Sequence, residues 1–168
     1  MPDRRRARPA GLVRDWTDAE IAVVVAHELA HHAYRDLWRT WVLNAAVLAG
    51  ALFAADRVIR LVAPGFGLGG PADLAALPLA ALVACLTWIA ATPVRHALSR
   101  RQERRADAFA LVLTGEADAF GSAVRRLGAR HLSEERPSAL TRWLYLSHPP
   151  VAERLDLAKR IGGTKAGR

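Results

Sequence analysis

Residues 74–94 read Leu74-Ala-Ala-Leu-Pro-Leu-Ala-Ala-Leu-Val-Ala-Cys-Leu-Thr-Trp-Ile-Ala-Ala-Thr-Pro-Val94, without one charged side chain. Wound as a helix at about 1.5 Å per residue, this run crosses a hydrocarbon core of roughly 30 Å. Upstream, Trp41 to Ala55 is also free of charge. That segment is short for a span and extends further only past Asp56, Arg57 and Arg60. Between the two lies Pro64-Gly-Phe-Gly-Leu-Gly-Gly-Pro71, a dense turn signal. The pattern predicts a transmembrane helical hairpin at about 40–94, entering and leaving a lipid bilayer on one side. The alternative is a hairpin buried in a soluble bundle.

The flanking charges orient the hairpin. Arg35 and Arg39 precede the first segment, and Arg95, Arg100, Arg101, Arg104 and Arg105 follow the second. The connecting loop side has Arg57 and Arg60, opposed by Asp56 and Asp73. Positive charge favours the cytoplasmic side. The expected arrangement is a multi-pass membrane protein with both outer ends in the cytoplasm.

Composition narrows the class. The chain has 168 residues, of which 52% are hydrophobic and 24% charged, too apolar for a disordered polymer. Net charge is +8, and nearly all of the basic residues are arginine, Lys159 and Lys165 being the only lysines. The arginines are scattered around apolar segments and no nucleic-acid motif accompanies them, so no nucleic-acid partner is expected. A basic membrane-surface or nucleic-acid module is a minor rival. Cys85, the single cysteine, sits in the apolar run as a small hydrophobe, and no disulfide can form within the chain.

The remaining pattern predicts an all-α fold with little or no sheet. Residues 1–14 form a basic arm, 15–161 a single domain and 162–168 a tail. Thr17-Asp18-Ala19-Glu20 is a capping box after Trp16, opening a mostly apolar helix that runs to about Arg35 or beyond. Further helices are predicted from about Arg95 to Thr114, stopped by Gly115, and over 117–127. After Pro137 a short helix reaches about Leu146. Ser147-His148-Pro149-Pro150 begins the last helix, with Gly162 and Gly163 ending it.

Inside the first helix stands His27-Glu28-Leu29-Ala30-His31, an HExxH motif. Its histidines are one turn apart on one face and can hold one zinc ion. Glu28 lies beside that face, where it can act as general base on a water and then as acid. The rival reading is a satisfied polar cluster in a bundle. His32 points about 100° away from His31 and cannot share the metal. A catalytic zinc needs a third protein ligand. Glu103 and Asp107, at i and i+4, share one face of the 95–114 helix. Glu103 can complete the ligand set, and Asp107 can hydrogen-bond a ligand histidine from behind. Alternatively they belong to a solvated face with Glu103 paired to nearby arginines. Spacing leaves both open, and the hairpin favours the first because it returns this helix beside the HExxH helix. His148 precedes two prolines and can donate to an oxyanion, or be an ordinary turn histidine. Arg154 and Glu153 are ambiguous, and His96 and His131 have no supporting context.

The ordered set 17–21, 27–32, two apolar spans, 99–110 (Ser-Arg-Arg-Gln-Glu-Arg-Arg-Ala-Asp-Ala-Phe-Ala) and 147–155 (Ser-His-Pro-Pro-Val-Ala-Glu-Arg-Leu) resembles the integral-membrane zinc proteases of the CAAX prenyl protease 1 and HtpX type. The resemblance covers about 12–161. It implies Glu103 as the zinc ligand, a supporting role for Asp107, and contact of His148 with substrate or transition state. It also implies that Arg154 fixes the site by pairing with a carboxylate such as Asp107. Peptides or membrane proteins are the implied substrates, cleaved at the cytoplasmic side. Ala30 stands where that family usually has glycine, a change a helix tolerates. That family also places further membrane helices and a substrate-holding edge strand before its HExxH helix, whereas only 1–15 precede it here. A truncated or minimal relative that keeps zinc without catalysis is therefore the alternative, as is a partner chain completing the substrate cleft.

Overall fold

The computed structural model describes residues 16–130 and 137–165. The predicted arm, His131 and residues 166–168 lie outside them. The described residues hold six α-helices and, between the second and third, two short 3-10 turns, with no strand among them: α1 (Asp18–Ala33), α2 (Asp36–Val62), α3 (Leu77–Thr114), α4 (Ala117–Arg130), α5 (Ala139–Leu144) and α6 (Val151–Lys165).

The capping box forms as read. The Thr17 hydroxyl accepts from the Glu20 amide at 3.2 Å, and Glu20 Oε2 accepts from the Thr17 amide at 2.8 Å. Glu20 is also buried and accepts from the Ser122 hydroxyl at 2.5 Å, tying the start of α1 to α4. The Ser122 bond first, then the Thr17 amide, hold its carboxyl below the usual carboxylate range against the opposing effect of burial. A lowered folded-state value contributes stability above the unfolded carboxylate range near ~4.3, lost as pH falls through the folded value. Ser122→Ala is therefore expected to lower the melting temperature at pH 7 to 8, followed by circular dichroism, and to lose that difference as pH falls below the unfolded carboxylate value of ~4.3.

The first helix ends sooner than the sequence predicts. Tyr34 caps α1, and Arg35 adopts a left-handed conformation with φ 55° and ψ 41° before α2 begins at Asp36. Glycine, and less often asparagine or aspartate, adopts that region cheaply, so at an arginine this turn is imposed by its surroundings. It places Asp36, 4% exposed, back against the end of α1.

A second difference concerns the hairpin. The sequence divides the second span from the following helix at Val94, but α3 continues from Leu77 to Thr114 through Pro93. A proline removes one main-chain hydrogen bond and need not end a helix that has a packed neighbour. That neighbour is α2, which runs alongside. Near the end of the apolar run Arg95 donates to Asn44 Oδ1 at 2.9 Å and stacks 3.9 Å from the Trp88 ring centre.

Both long helices are apolar and long enough to cross a membrane, yet only 17% and 6% of their most apolar windows are buried inside the protein. Leu37, Trp38, Trp41, Leu52 and Phe53 of α2 and Leu82, Leu86 and Ile89 of α3 are exposed. A core hairpin of a soluble bundle would bury such residues, so the predicted alternative does not describe this arrangement.

The remaining helices build a small core beyond the hairpin. Val23 and Ala26 of α1, Ala110 and Leu111 of α3, Phe120 and Val124 of α4 and Ala158 of α6 pack together. Gly162 and Gly163 do not end α6, which continues to Lys165. A Cβ on Gly162 would stand 2.8 Å from Ala117 Cβ, and one on Gly128 2.7 Å from Val151 Cγ2. These glycines serve the close approach of α4 and α6.

Candidate metal centre

Two buried pairs of alanines at i, i+4 spacing, Ala26 and Ala30 on α1 and Ala106 and Ala110 on α3, lie where these helices pack. Small side chains allow that close approach, and the ligand candidates stand next to the alanines on α1 and three positions before Ala106 on α3. His27 and His31 project from α1, and Glu103 from α3.

Their donor atoms converge. His27 Nε2 and His31 Nε2 are 3.2 Å apart. Glu103 Oε2 lies 3.4 Å from His27 Nε2, and Oε1 lies 3.6 Å from His31 Nε2. Ligand atoms around a tetrahedral metal at about 2.0–2.1 Å would be roughly 3.3 Å from each other. Among the described residues, these three form the one grouping of three or more such donors. The donor chemistry and spacing both fit a bound divalent ion.

The opposite ring nitrogens explain why the Nε2 atoms face inward. His27 Nδ1 lies 3.0 Å from Asp107 Oδ1, and His31 Nδ1 lies 3.0 Å from Asp36 Oδ2. A carboxylate at Nδ1 favours the proton there and leaves the Nε2 lone pair for a metal. Each carboxylate is in turn held by an arginine. Arg154 donates to Asp107 through Nε at 2.8 Å and Nη2 at 2.6 Å. Arg105 donates to Asp36 through Nη2 while lying 4.0 Å from the Tyr34 ring centre. Gln102 adds a bond from Nε2 to the Asp36 carbonyl at 3.3 Å.

Burial works against charge on His27, but the Asp107 and Glu103 carboxylates outweigh it and push its pKa up to about 9. The Glu103 carboxylate likewise raises that of His148, whose side chain is exposed but partly desolvated by its neighbours, against that desolvation and the charges of Arg154 and His27. Such an acceptor-rich pocket attracts cations, and a metal must compete there with protons.

Of the residues singled out by sequence, Glu28 is exposed and lines the cavity of about 770 Å³ beside the three converging donors. His148 lines it too, with Nδ1 3.1 Å from Glu103 Oε2. The cavity wall is otherwise largely apolar, including Val24 of α1, Leu127 of α4 and Val151 of α6. The nearby arginines do not pair with Glu103. Arg104 pairs with Glu153, Arg105 with Asp36, and Arg100 with main-chain carbonyls. His32 is exposed, does not line the cavity and takes no part in the donor cluster, while His96 sits half-buried away from it.

Asp36, Arg105 and Arg100 are absent from the sequence reading of the site. For Asp36 a signal existed, an acidic residue five positions after His31, but using it required knowing that the helix breaks at Arg35. Asp36→Asn is expected to lower metal affinity by about 10- to 100-fold, since that is the usual effect of removing a carboxylate behind a histidine ligand. Competition with a fluorescent chelator measures this directly. Unchanged affinity would mean that Asp36 only joins helices.

A family model for peptidase family M48 matches residues 9–161. The chain belongs to this family. Among curated relatives, the M48 chain is 31% identical over 147 positions to an uncharacterized metalloprotease, YhfN, of Bacillus subtilis, covering 85% of this chain and 34% of that protein. It is 30% identical over 175 aligned positions to protease HtpX of Xylella fastidiosa, covering 91% of this chain and 58% of that one. A protease HtpX homolog of Acidiphilium cryptum is 33% identical over 167 positions, with 86% and 55% covered. The M48 chain thus spans about a third to under three fifths of the length of these relatives. No solved structure matches it.

Proposed function

We propose that this M48 chain carries the catalytic centre of a zinc-dependent, membrane-associated endopeptidase. The observation that carries this reading is the inward convergence of His27 Nε2, His31 Nε2 and the Glu103 carboxylate, each histidine backed by a carboxylate, at the edge of an open cavity. These three residues would hold one zinc ion. When bound, the ion supplies Lewis-acid polarisation of the scissile carbonyl and acidifies the attacking water.

The chain's own groups do the rest. Glu28 accepts the proton of the attacking water and delivers it to the leaving amine nitrogen. His148, whose Nδ1 lies 3.1 Å from Glu103 Oε2, donates a hydrogen bond to the carbonyl oxygen as negative charge develops. Asp107 and Asp36 keep the imidazoles in the orientation that the ligand set needs, and Arg154 and Arg105 fix those carboxylates. The apolar cavity wall takes substrate side chains and sheds water from the reacting groups.

Membrane placement is part of the same reading. The exposed apolar faces of α2 and α3 are covered by lipid, and the arginines beyond Val94 set α1, α4, α5 and α6 at the cytoplasmic side. Substrates are then peptides or membrane proteins presented at that surface.

The test uses the purified chain in detergent micelles. One zinc per chain is expected, with cleavage of unfolded casein abolished by chelation and restored by zinc. Full activity after chelation removes the metal mechanism. Stoichiometric zinc with no cleavage of any unfolded protein favours a relative that keeps the metal site for a non-catalytic role.

A further inference from the structure

We infer that Arg100 is a positioning residue that holds His148 in place by clamping the main chain of the preceding segment. The inference rests on the proposed role of His148 in peptide cleavage.

Arg100 is 7% exposed, which is unusual for a cation. Its Nη1 donates to the carbonyl of Arg142 at 2.9 Å and to that of Leu146 at 2.6 Å. Arg142 lies in the last turn of α5. There the main-chain carbonyls lack helical partners and carry partial negative charge, so a guanidinium is a favourable cap. Leu146 is two residues before His148, so at about 3.3–3.6 Å per residue the bond fixes the chain within roughly 7 Å of that side chain.

The helix register of α3 makes the arrangement coherent. Arg100, Glu103 and Asp107 stand at i, i+3 and i+7 on one face. Each holds a successive point of the same downstream segment: Arg100 the carbonyls of Arg142 and Leu146, Glu103 the His148 ring, Asp107 the Arg154 guanidinium. Pro149 and Pro150 restrict the chain between the last two points. His148 itself is exposed, so its own packing does not fix it. Its position depends on being pinned from both sides, by Arg100 upstream and by the Asp107–Arg154 pair downstream.

The test compares Arg100→Met, Arg100→Lys, His148→Ala and Arg100→Met/His148→Ala in the full chain, loaded with zinc in detergent. Arg100→Met is expected to keep one zinc per chain. Amide hydrogen exchange over 144–147 should accelerate about tenfold or more, as local opening becomes easier. On a peptide substrate kcat should fall about 100-fold, the scale of a misplaced catalytic contact, with KM nearly unchanged. In the His148→Ala background the same substitution should cost little more, since the effect travels through that ring. Arg100→Lys, which keeps the cation and a single-headed donor, should fold and change in the same direction by less. Unchanged exchange over 144–147 in both Arg100 variants overturns the clamp, as does a full additional kcat loss without His148. If His148→Ala is as active as the parent, the role of His148 fails instead, and the exchange measurement alone then decides the clamp.

Discussion

Glu28→Gln is expected to leave one zinc per chain and to lower kcat by about 10²- to 10⁴-fold, the usual contribution of a positioned general base and acid. The side chain faces the cavity beside the ligand group but is not one of the three converging donors. Glutamine keeps its length and shape while losing the ability to accept a proton. Because Glu28 is exposed, melting of the variant should match the parent within about 0.5 kcal/mol. Steady-state kinetics, metal analysis and a melting curve on one preparation separate the possibilities. Loss of zinc would make Glu28 a ligand, and retained turnover would place the proton transfer elsewhere.

Asp107→Ala is the substitution expected to cost most stability. The residue is 1% exposed and accepts both bonds of the Arg154 fork while facing His27 Nδ1. Its loss strands a largely buried guanidinium, and breaking such a pair from one side costs about 3–5 kcal/mol. For a chain of this length that is a fall in melting temperature on the order of 10 °C. Zinc affinity should fall as well, by about 10- to 100-fold, because His27 loses the group that orients it. Asp107→Ala/Arg154→Met separates the two effects. Removing the stranded cation should restore part of the stability and none of the metal affinity. Recovery of both would assign Asp107 to packing alone.

What the sequence made legible was information carried within single helices. The pairs His27/His31 and Glu103/Asp107 follow from the turn of an α-helix, and the uncharged run at 74–94 announces a long apolar helix. The capping box at 17–20 is equally local. What escaped depended on a break or on burial. Asp36 meets His31 only because Arg35 turns left-handed, and nothing about an arginine announces that. Arg100 and Arg105 read as charges flanking a membrane segment, whereas one caps α5 and the other holds Asp36. A boundary was read at Val94, inside what is one helix, because a proline and a switch to arginines imitate a helix end, and the support from α2 that overrides them is tertiary. The glycines at 162 and 163 misled for the same reason, since Gly162 answers to Ala117 across the α4–α6 contact.

Because α3 is unbroken from the apolar run to Thr114, it works as a ruler as well as an anchor. Glu103 stands nine positions after Val94, so at about 1.5 Å per position it lies roughly 13 Å further along the helix than the last apolar position. In the proposed placement this sets the height at which a bond can be cut above the lipid. Height and phase are coupled along such a rod. One inserted residue would swing Glu103 by about 100° and dismantle the ligand group, while two full turns, seven residues, would nearly keep the phase and lift the centre by about 10 Å. On the proposed reading, the reach of the catalytic centre toward its substrates is thus quantised by the helix that anchors it.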